Sequence, residues 1–246
     1  MDVIQVRDLD VGYGGQPILR GLSFAVPSGR ITVIVGESGS GKSTLLKTLI
    51  GLQPPLRGEI RMSGSLIDYG SERELRAFYP RIGVLYQNSA LLDSLTLFQN
   101  TALPIWMHHH DWPAAKTENQ VRAMLARVGL AGHGAKYPYE LSGGMRKRAA
   151  LARAMVLEPG LVFCDEPSAG LDPITSAGLD GLLTELRTAH GVTFVVVTHE
   201  LRSIAHIADR LMMLREGRLH FDGEYAEAAA SPDPYLQAFF LRKAAS

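Results

Sequence analysis

The chain has 246 residues, 46% of them hydrophobic, which suits one large domain with a substantial core. Twenty-five Lys and Arg balance twenty-five Asp and Glu; no broad basic field is available to hold nucleic-acid phosphates, which argues against a DNA or RNA partner. No apolar run approaches eighteen residues, and the start "MDVIQVRDLDVGYGG" lacks a basic-then-apolar signal pattern, so any membrane work is expected to use spans from other subunits.

The first thirty residues read as short strands around the turn signals "GYGGQP" and "PSG", a small antiparallel sheet. "ITVIVG" comes next and is the first of four similar runs; the others are "RIGVLYQ", "LVFCDEP" and "TFVVVTH". Each is rich in β-branched residues without alternation, as in strands covered on both faces, so the expected class is α/β with a mostly parallel sheet. Each also ends in polar residues, and open parallel sheets bind ligands beyond the carboxyl ends of their strands. The glycines after the first run, Gln87, Asp165 with Glu166, and His199 are therefore expected to meet in one site.

Residues 88 to about 160 read as mainly helical. "TENQVRAMLARVGL" puts Val121, Met124, Leu125 and Val128 on one face, stops at Gly129, and opens with Thr117 and Gln120 at capping-box spacing. A later helix is predicted over about 174–189, with Leu179, Leu182, Leu183 and Leu186 inward. "RLMMLREGRLHFDG" predicts a hairpin turning at "EG", and the tail "DPYLQAFFLRK" clusters Tyr235, Leu236, Phe239 and Phe240. The simplest division is one domain over 1–225, with a helical subdomain inserted at about 88–160, and a C-terminal tail over 226–246. The lone Cys164 cannot form an internal disulfide; it reads as core packing in a reducing compartment.

"GESGSGKS", Gly36 to Ser43, matches the phosphate-binding loop G-x-x-x-x-G-K-[ST], between a predicted strand and a predicted helix. The backbone from Gly36 through Glu37, Ser38, Gly39, Ser40 and Gly41 to Thr44 would form a positive concavity for phosphate oxygens. Lys42 would reach the β- and γ-phosphates and Ser43 would place its hydroxyl on Mg²⁺. ATP and Mg²⁺ are thus the expected cofactors. Asp165, emerging from a buried strand, suits the Mg²⁺ shell, and Glu166 suits a group that orients or deprotonates water; an acidic strand end capping a turn is the plainer alternative. "LSGGMRKRAALARAM" bares a second helix N-terminus at Ser142, Gly143 and Gly144, either an anion site or a cap without ligand. The histidines of "MHHHD" lack the helical spacing that aims two at one ion.

Taken together, these motifs resemble the nucleotide-binding subunit of an ATP-binding cassette (ABC) transporter over essentially residues 2 to 223. "LSGGM" resembles the family signature, Gln87 its Q-loop, "SAGLDP" its D-loop, His199 its switch histidine, and Tyr13 the aromatic that stacks on adenine. The resemblance implies a P-loop NTPase (RecA-like) core with a small antiparallel β subdomain and an inserted helical subdomain. It also implies a head-to-tail dimer with a second copy, in which Ser142, Gly143 and Gly144 act on the other copy's ATP. Gln87 would join Ser43 and Asp165 around Mg²⁺, and His199 would contact the γ-phosphate. Tyr13 packing in the small sheet and Gln87 as a satisfied strand-end amide are the plainer alternatives, and His199 read alone fits a core or surface histidine.

Within the family, "SGGMRKRAALARA" and "RIGVLYQNSALLDSLTLFQNTALP" resemble the ATPase of Mla/Mce-type phospholipid transporters. That resemblance implies two integral-membrane permeases, an Mce-domain lipid-binding protein, and a small regulatory subunit as a further partner. The complex would work at the cytoplasmic face of an inner membrane and maintain outer-membrane lipid asymmetry. An amino-acid-type importer, a lipoprotein-releasing system and a soluble non-transport ATPase remain the alternatives. The tail would dock on a neighbouring ATPase or regulator, or cover its own domain's core.

Overall fold

Chain order in the computed structural model, which describes residues 1–241, begins with a hairpin of β1 (Asp2–Tyr13) and β2 (Gln16–Pro27). Next come β3 (Ile31–Gly36), α1 (Lys42–Leu49), β4 (Arg57–Met62), β5 (Ser65–Leu66), α2 (Glu72–Phe78) and β6 (Ile82–Leu85). Three helices follow, α3 (Leu97–His108), α4 (Ala114–Arg127) and α5 (Gly143–Met155), and then β7 (Leu161–Asp165), α6 (Pro173–His190), β8 (Thr193–Val197) and α7 (Leu201–Ile207). The chain closes with β9 (Arg210–Arg215), β10 (Arg218–Glu224), α8 (Tyr225–Ala229) and α9 (Pro234–Leu241).

The larger sheet has the order β10-β9-β3-β8-β7-β6. Its strands from β9 to β6 are parallel, and β10 is antiparallel at the edge. Both faces are covered, which is why the strands read as unbroken apolar runs. Alternate residues serve two cores. Val33, Val35, Val162, Cys164, Phe194 and Val196 face the helices, whereas Ile34, Phe163, Val195 and Val197 face the smaller sheet and α1. Burial pushes the Cys164 thiol up to about 12, with Lys147 pulling it only partly back, as befits a packing residue.

The smaller sheet, β2-β1-β4-β5, is antiparallel. Its first two strands are twelve residues long, not short as the sequence suggested. Bulges carry the pairing past the polar stretch around Asp8, which takes φ 45°. The strands over 57–66 and the helix over 72–78 are further elements that the sequence pattern did not single out.

Helix α4 corrects another expectation. It begins a turn earlier, behind Pro113, whose carbonyl accepts from the Thr117 amide at 3.1 Å. Thr117 is buried inside the helix, and Gln120 donates its amide to the Val156 carbonyl at 2.9 Å, so the two form no cap. A true capping box opens α3: Gln99 N donates to Thr96 Oγ1 at 3.2 Å and Thr96 N to Gln99 Oε1 at 2.9 Å. His109, from the histidine cluster, stacks on Trp112 at 4.8 Å, and Lys116 lies over that same ring.

The hairpin at Glu216–Gly217 forms as the sequence predicts, with both residues left-handed. Behind it α9 packs on its own domain. Asp233 Oδ1 accepts from the amides of Tyr235 and Leu236, Arg215 lies over the Tyr235 ring, and Leu236 is 1% exposed within the helix-side core. The tail's last residues, 242–246, lie outside the described ones. Leu236→Ala should lower stability by about 2–5 kcal/mol, the usual range for a fully buried leucine. Urea unfolding measures it, and an unchanged midpoint would mean that α9 is not docked on this core.

Candidate functional site

The loop after β3 shows why small residues are needed there. A Cβ on Gly36 would stand 2.5 Å from the Leu214 carbonyl oxygen and 2.7 Å from Ser40 Oγ. Gly41 caps α1 at φ 95°, where a side chain would also meet Leu19. The loop folds back on itself through Ser40 N donating to the Glu37 carbonyl at 3.1 Å. Lys42, the first residue of α1, lies across it: Nζ donates to the carbonyls of Gly36 (2.9 Å) and Glu37 (2.8 Å) and reaches Ser40 Oγ at 3.4 Å. Burial lowers the Lys42 ammonium's pKa, while Glu166 and Asp165 pull it back up.

Asp165 ends β7 and Glu166 follows it. Glu166 is one of few non-glycine residues at positive φ (46°), a costly backbone conformation that recurs at functional sites. Its amide donates to the Val197 carbonyl at 2.8 Å, which ties the end of β7 to the end of its parallel neighbour β8. Its side chain meets His199, with Oε1 2.7 Å from Nδ1. The two differ in access, His199 being 67% exposed and Glu166 13%.

These ends of β3, β7 and β8 open on one cavity of about 690 Å³, within the roughly 300–1,000 Å³ that small-molecule sites occupy. Of the residues expected in the site, Gly36, Glu37, Ser38, Gly39, Lys42, Ser43, Gln87, Asp165, Glu166 and His199 line it. Ser40, Gly41 and Thr44 belong to the same loop and first helical turn without lining it. Tyr13 is 52% exposed at the end of β1 and lies off the cavity.

Ser142, Gly143 and Gly144 also lie off it, at the start of α5, where Ser142 Oγ accepts from the Met145 amide at 3.3 Å. Gly144 has a reason inside this chain, because a Cβ would stand 2.3 Å from Thr175 Cγ2 on α6. The cavity adds residues that the strand-end pattern did not flag, among them Leu201 and Phe239. Phe239 arrives from α9, at the far end of the sequence, so no local motif marks it.

The site suits a magnesium–nucleotide. Glu166 Oε2 is buried without a hydrogen-bond partner among the described residues, a polar atom that calls for a ligand or water. Burial, and then the Glu166 charge, hold the Asp165 carboxyl above the ordinary carboxylate range, while Lys42, Lys47 and Lys147 pull it down. A cation there would relieve that penalty. Ser43, Gln87 and Asp165 all offer oxygen, the donor that Mg²⁺ prefers.

A match to the ABC transporter family covers residues 19–169. The chain is 40% identical over 238 residues to the intermembrane phospholipid transport system ATP-binding protein MlaF of Escherichia coli, covering 97% of this chain and 88% of that protein. It is 38% identical over 240 residues to the probable ribonucleotide transport ATP-binding protein mkl of Mycobacterium tuberculosis, covering 96% of this chain. The chain spans 66% of that longer relative. Among solved structures, cbiO1 of Clostridium perfringens, part of the ABC transporter complex cbiONQ, superposes with a TM-score of 0.87 at 28% identity, over 96% of this chain and 94% of that one. A dimeric ATP-binding cassette in a post-hydrolysis state, bound to ADP and Pi, superposes with a TM-score of 0.81 at 26% identity, over 90% and 98%.

Proposed function

Because this chain belongs to the ABC transporter family, we propose that it is the ATP-hydrolysing subunit of a complex that moves phospholipid at an inner membrane. The observation that carries the ATPase reading is the meeting of Lys42, Asp165, Glu166 and His199 at one cavity. The likeness to MlaF over nearly the whole chain supports the lipid cargo. Among the described residues no helix is long and apolar enough to cross a membrane, which fits a subunit held at the cytoplasmic face by two permeases. An Mce-domain protein and a small regulatory subunit complete the proposed assembly, and residues 88 to about 160 are assigned as the inserted helical subdomain.

In this reading ATP lies along residues 36–44, with its phosphates on the loop amides and the α1 N-terminus. Lys42 leaves the loop carbonyls for the β- and γ-phosphates, which offer it stronger, charge-assisted bonds. Ser43, Asp165 and Gln87 would hold Mg²⁺, which supplies neutralising charge at the terminal phosphates. Glu166 takes the proton of the attacking water, its orientation set by the hydrogen bond to His199. His199, the more exposed partner, also reaches the γ-phosphate. Tyr13 stacks on adenine. Ser142, Gly143 and Gly144 stand off their own cavity, which suits them to close over the γ-phosphate of a second copy.

Cargo is tested with the complex in proteoliposomes, following ATP-dependent transfer of a fluorescent phospholipid to acceptor vesicles. The expected result is transfer that stops with Glu166→Gln. Stimulation of ATP hydrolysis by ribonucleotides and not by phospholipid would replace this cargo with the one in the mycobacterial relative's name.

A further inference from the structure

Helix α5 carries a cation on its buried face. Lys147 is 5% exposed, one turn beyond Gly144 and one turn before Leu151, at positions that an amphipathic helix reserves for the core. Its ammonium donates to the Gln87 carbonyl and, at 3.3 Å, to the Glu166 carbonyl. One side chain thus joins the two loops whose own side chains face the cavity.

Further along the same helix, Arg153 donates to the Ala90 carbonyl at 2.6 Å and the Ser89 carbonyl at 2.9 Å. Ser89 and Ala90 are consecutive residues at positive φ, 60° and 49°, a conformation that side-chain-bearing residues keep only when held. Lys147 and Arg153 together therefore clamp the segment 87–90 onto the helix that Ser142 caps.

We infer that Lys147 is a positioning residue for ATP hydrolysis: by gripping the backbones of Gln87 and Glu166 from α5, it sets where their side chains stand around the γ-phosphate. This rests on the ATPase reading above. Both described hydrogen bonds of Lys147 end on carbonyl oxygens of its own chain, so the inference places its effect chiefly on turnover, with a smaller effect on magnesium-dependent affinity through Gln87. It also connects the two copies of the dimer, since the Gln87 and Glu166 loops of one site are fastened to the helix whose cap serves the other.

A lysine that only filled space would be replaced by methionine without loss, because methionine has similar length and no buried charge to desolvate. The test uses the complete complex with its permeases. It compares wild type, Lys147→Met, Lys147→Arg and, as a control, Glu166→Gln, measuring kcat, KM and the affinity for a non-hydrolysable ATP analogue.

Lys147→Met is expected to lower kcat about tenfold or more, as displaced reacting groups do. Its magnesium–analogue affinity should fall less than kcat does, because Lys42 and the loop amides still hold the phosphates while only the Gln87 contact shifts. Lys147→Arg, whose planar head offers several donors, is expected to recover kcat to within about threefold of wild type. Wild-type kcat in Lys147→Met, an arginine variant no faster than methionine, or a loss confined to affinity would each overturn the inference. Should Lys147→Met not fold, Lys147→Gln keeps an uncharged amide donor group on a shorter side chain and should turn over slowly; wild-type turnover there overturns the inference equally. Turnover by Glu166→Gln would mean that the site reading itself has failed. An inactive Glu166→Gln beside a fully active Lys147→Met would remove only the role of Lys147.

Discussion

Glu166→Gln will bind ATP and almost cease to release phosphate. The amide keeps the volume and a hydrogen-bonding oxygen but cannot accept a proton from water. Losing a positioned general base costs on the order of 10²–10⁴ in rate. The geometry favours this residue over its neighbours: Glu166 Oε2 is buried and has no hydrogen-bond partner among the described residues, while Oε1 is oriented by His199 at 2.7 Å. Asp165, one residue earlier and also at the cavity, is read as a metal-side group, so removing it should weaken magnesium-dependent binding as well as turnover. Phosphate release and analogue binding measured side by side separate the two. Near-normal release from Glu166→Gln would remove it from the catalytic step. With hydrolysis blocked, the variant should also accumulate in the closed, ATP-bound dimer.

Lys42→Ala should act at the earlier step, weakening nucleotide binding. In the structure the ammonium rests on the carbonyls of Gly36 and Glu37 and is partly desolvated, as its lowered pKa reflects. Exchanging neutral carbonyls for phosphate oxygens strengthens its bonds. Hydrogen bonds involving a charged group contribute about 1.5–3 kcal/mol each, which corresponds to roughly ten- to a hundredfold in Kd for each bond lost. Titration calorimetry with an ATP analogue measures the effect. The control is thermal stability without nucleotide, which separates the loss of the loop's own Lys42 contacts to the Gly36 and Glu37 carbonyls from the loss of phosphate contacts. An affinity within about twofold of wild type would contradict the assignment, since one lost bond already predicts more.

The sequence carried the strand ends well because that signal is local. Four apolar runs each stop at a polar residue, and a parallel sheet must bring such ends to one edge; Lys42, Gln87, Asp165, Glu166 and His199 accordingly share a cavity. The division of each run between two cores was hidden, because a strand buried on both faces shows no alternation of polarity. The helix start at Pro113 was hidden by a stronger-looking pair, Thr117 and Gln120, whose spacing fits a capping box while their side chains serve tertiary contacts. Phe239 reaches the cavity from α9 through packing that no short window of sequence can encode.

Lys147 did leave a signal, a lysine on the buried side of an alanine-rich helix. A positive charge at such a place needs acceptors, and the carbonyls of Gln87 and Glu166 supply them. Gly144 shows the converse: a glycine expected to serve a ligand also has close packing against Thr175 to satisfy.

The most direct test is a structure of Glu166→Gln determined with Mg²⁺ and ATP. The account predicts the triphosphate lying along residues 36–44 with Lys42 on its terminal phosphates, and Ser142 to Gly144 of a second copy closing over the γ-phosphate. A nucleotide bound elsewhere, or a triphosphate with its own copy's Ser142 against it, would contradict the account.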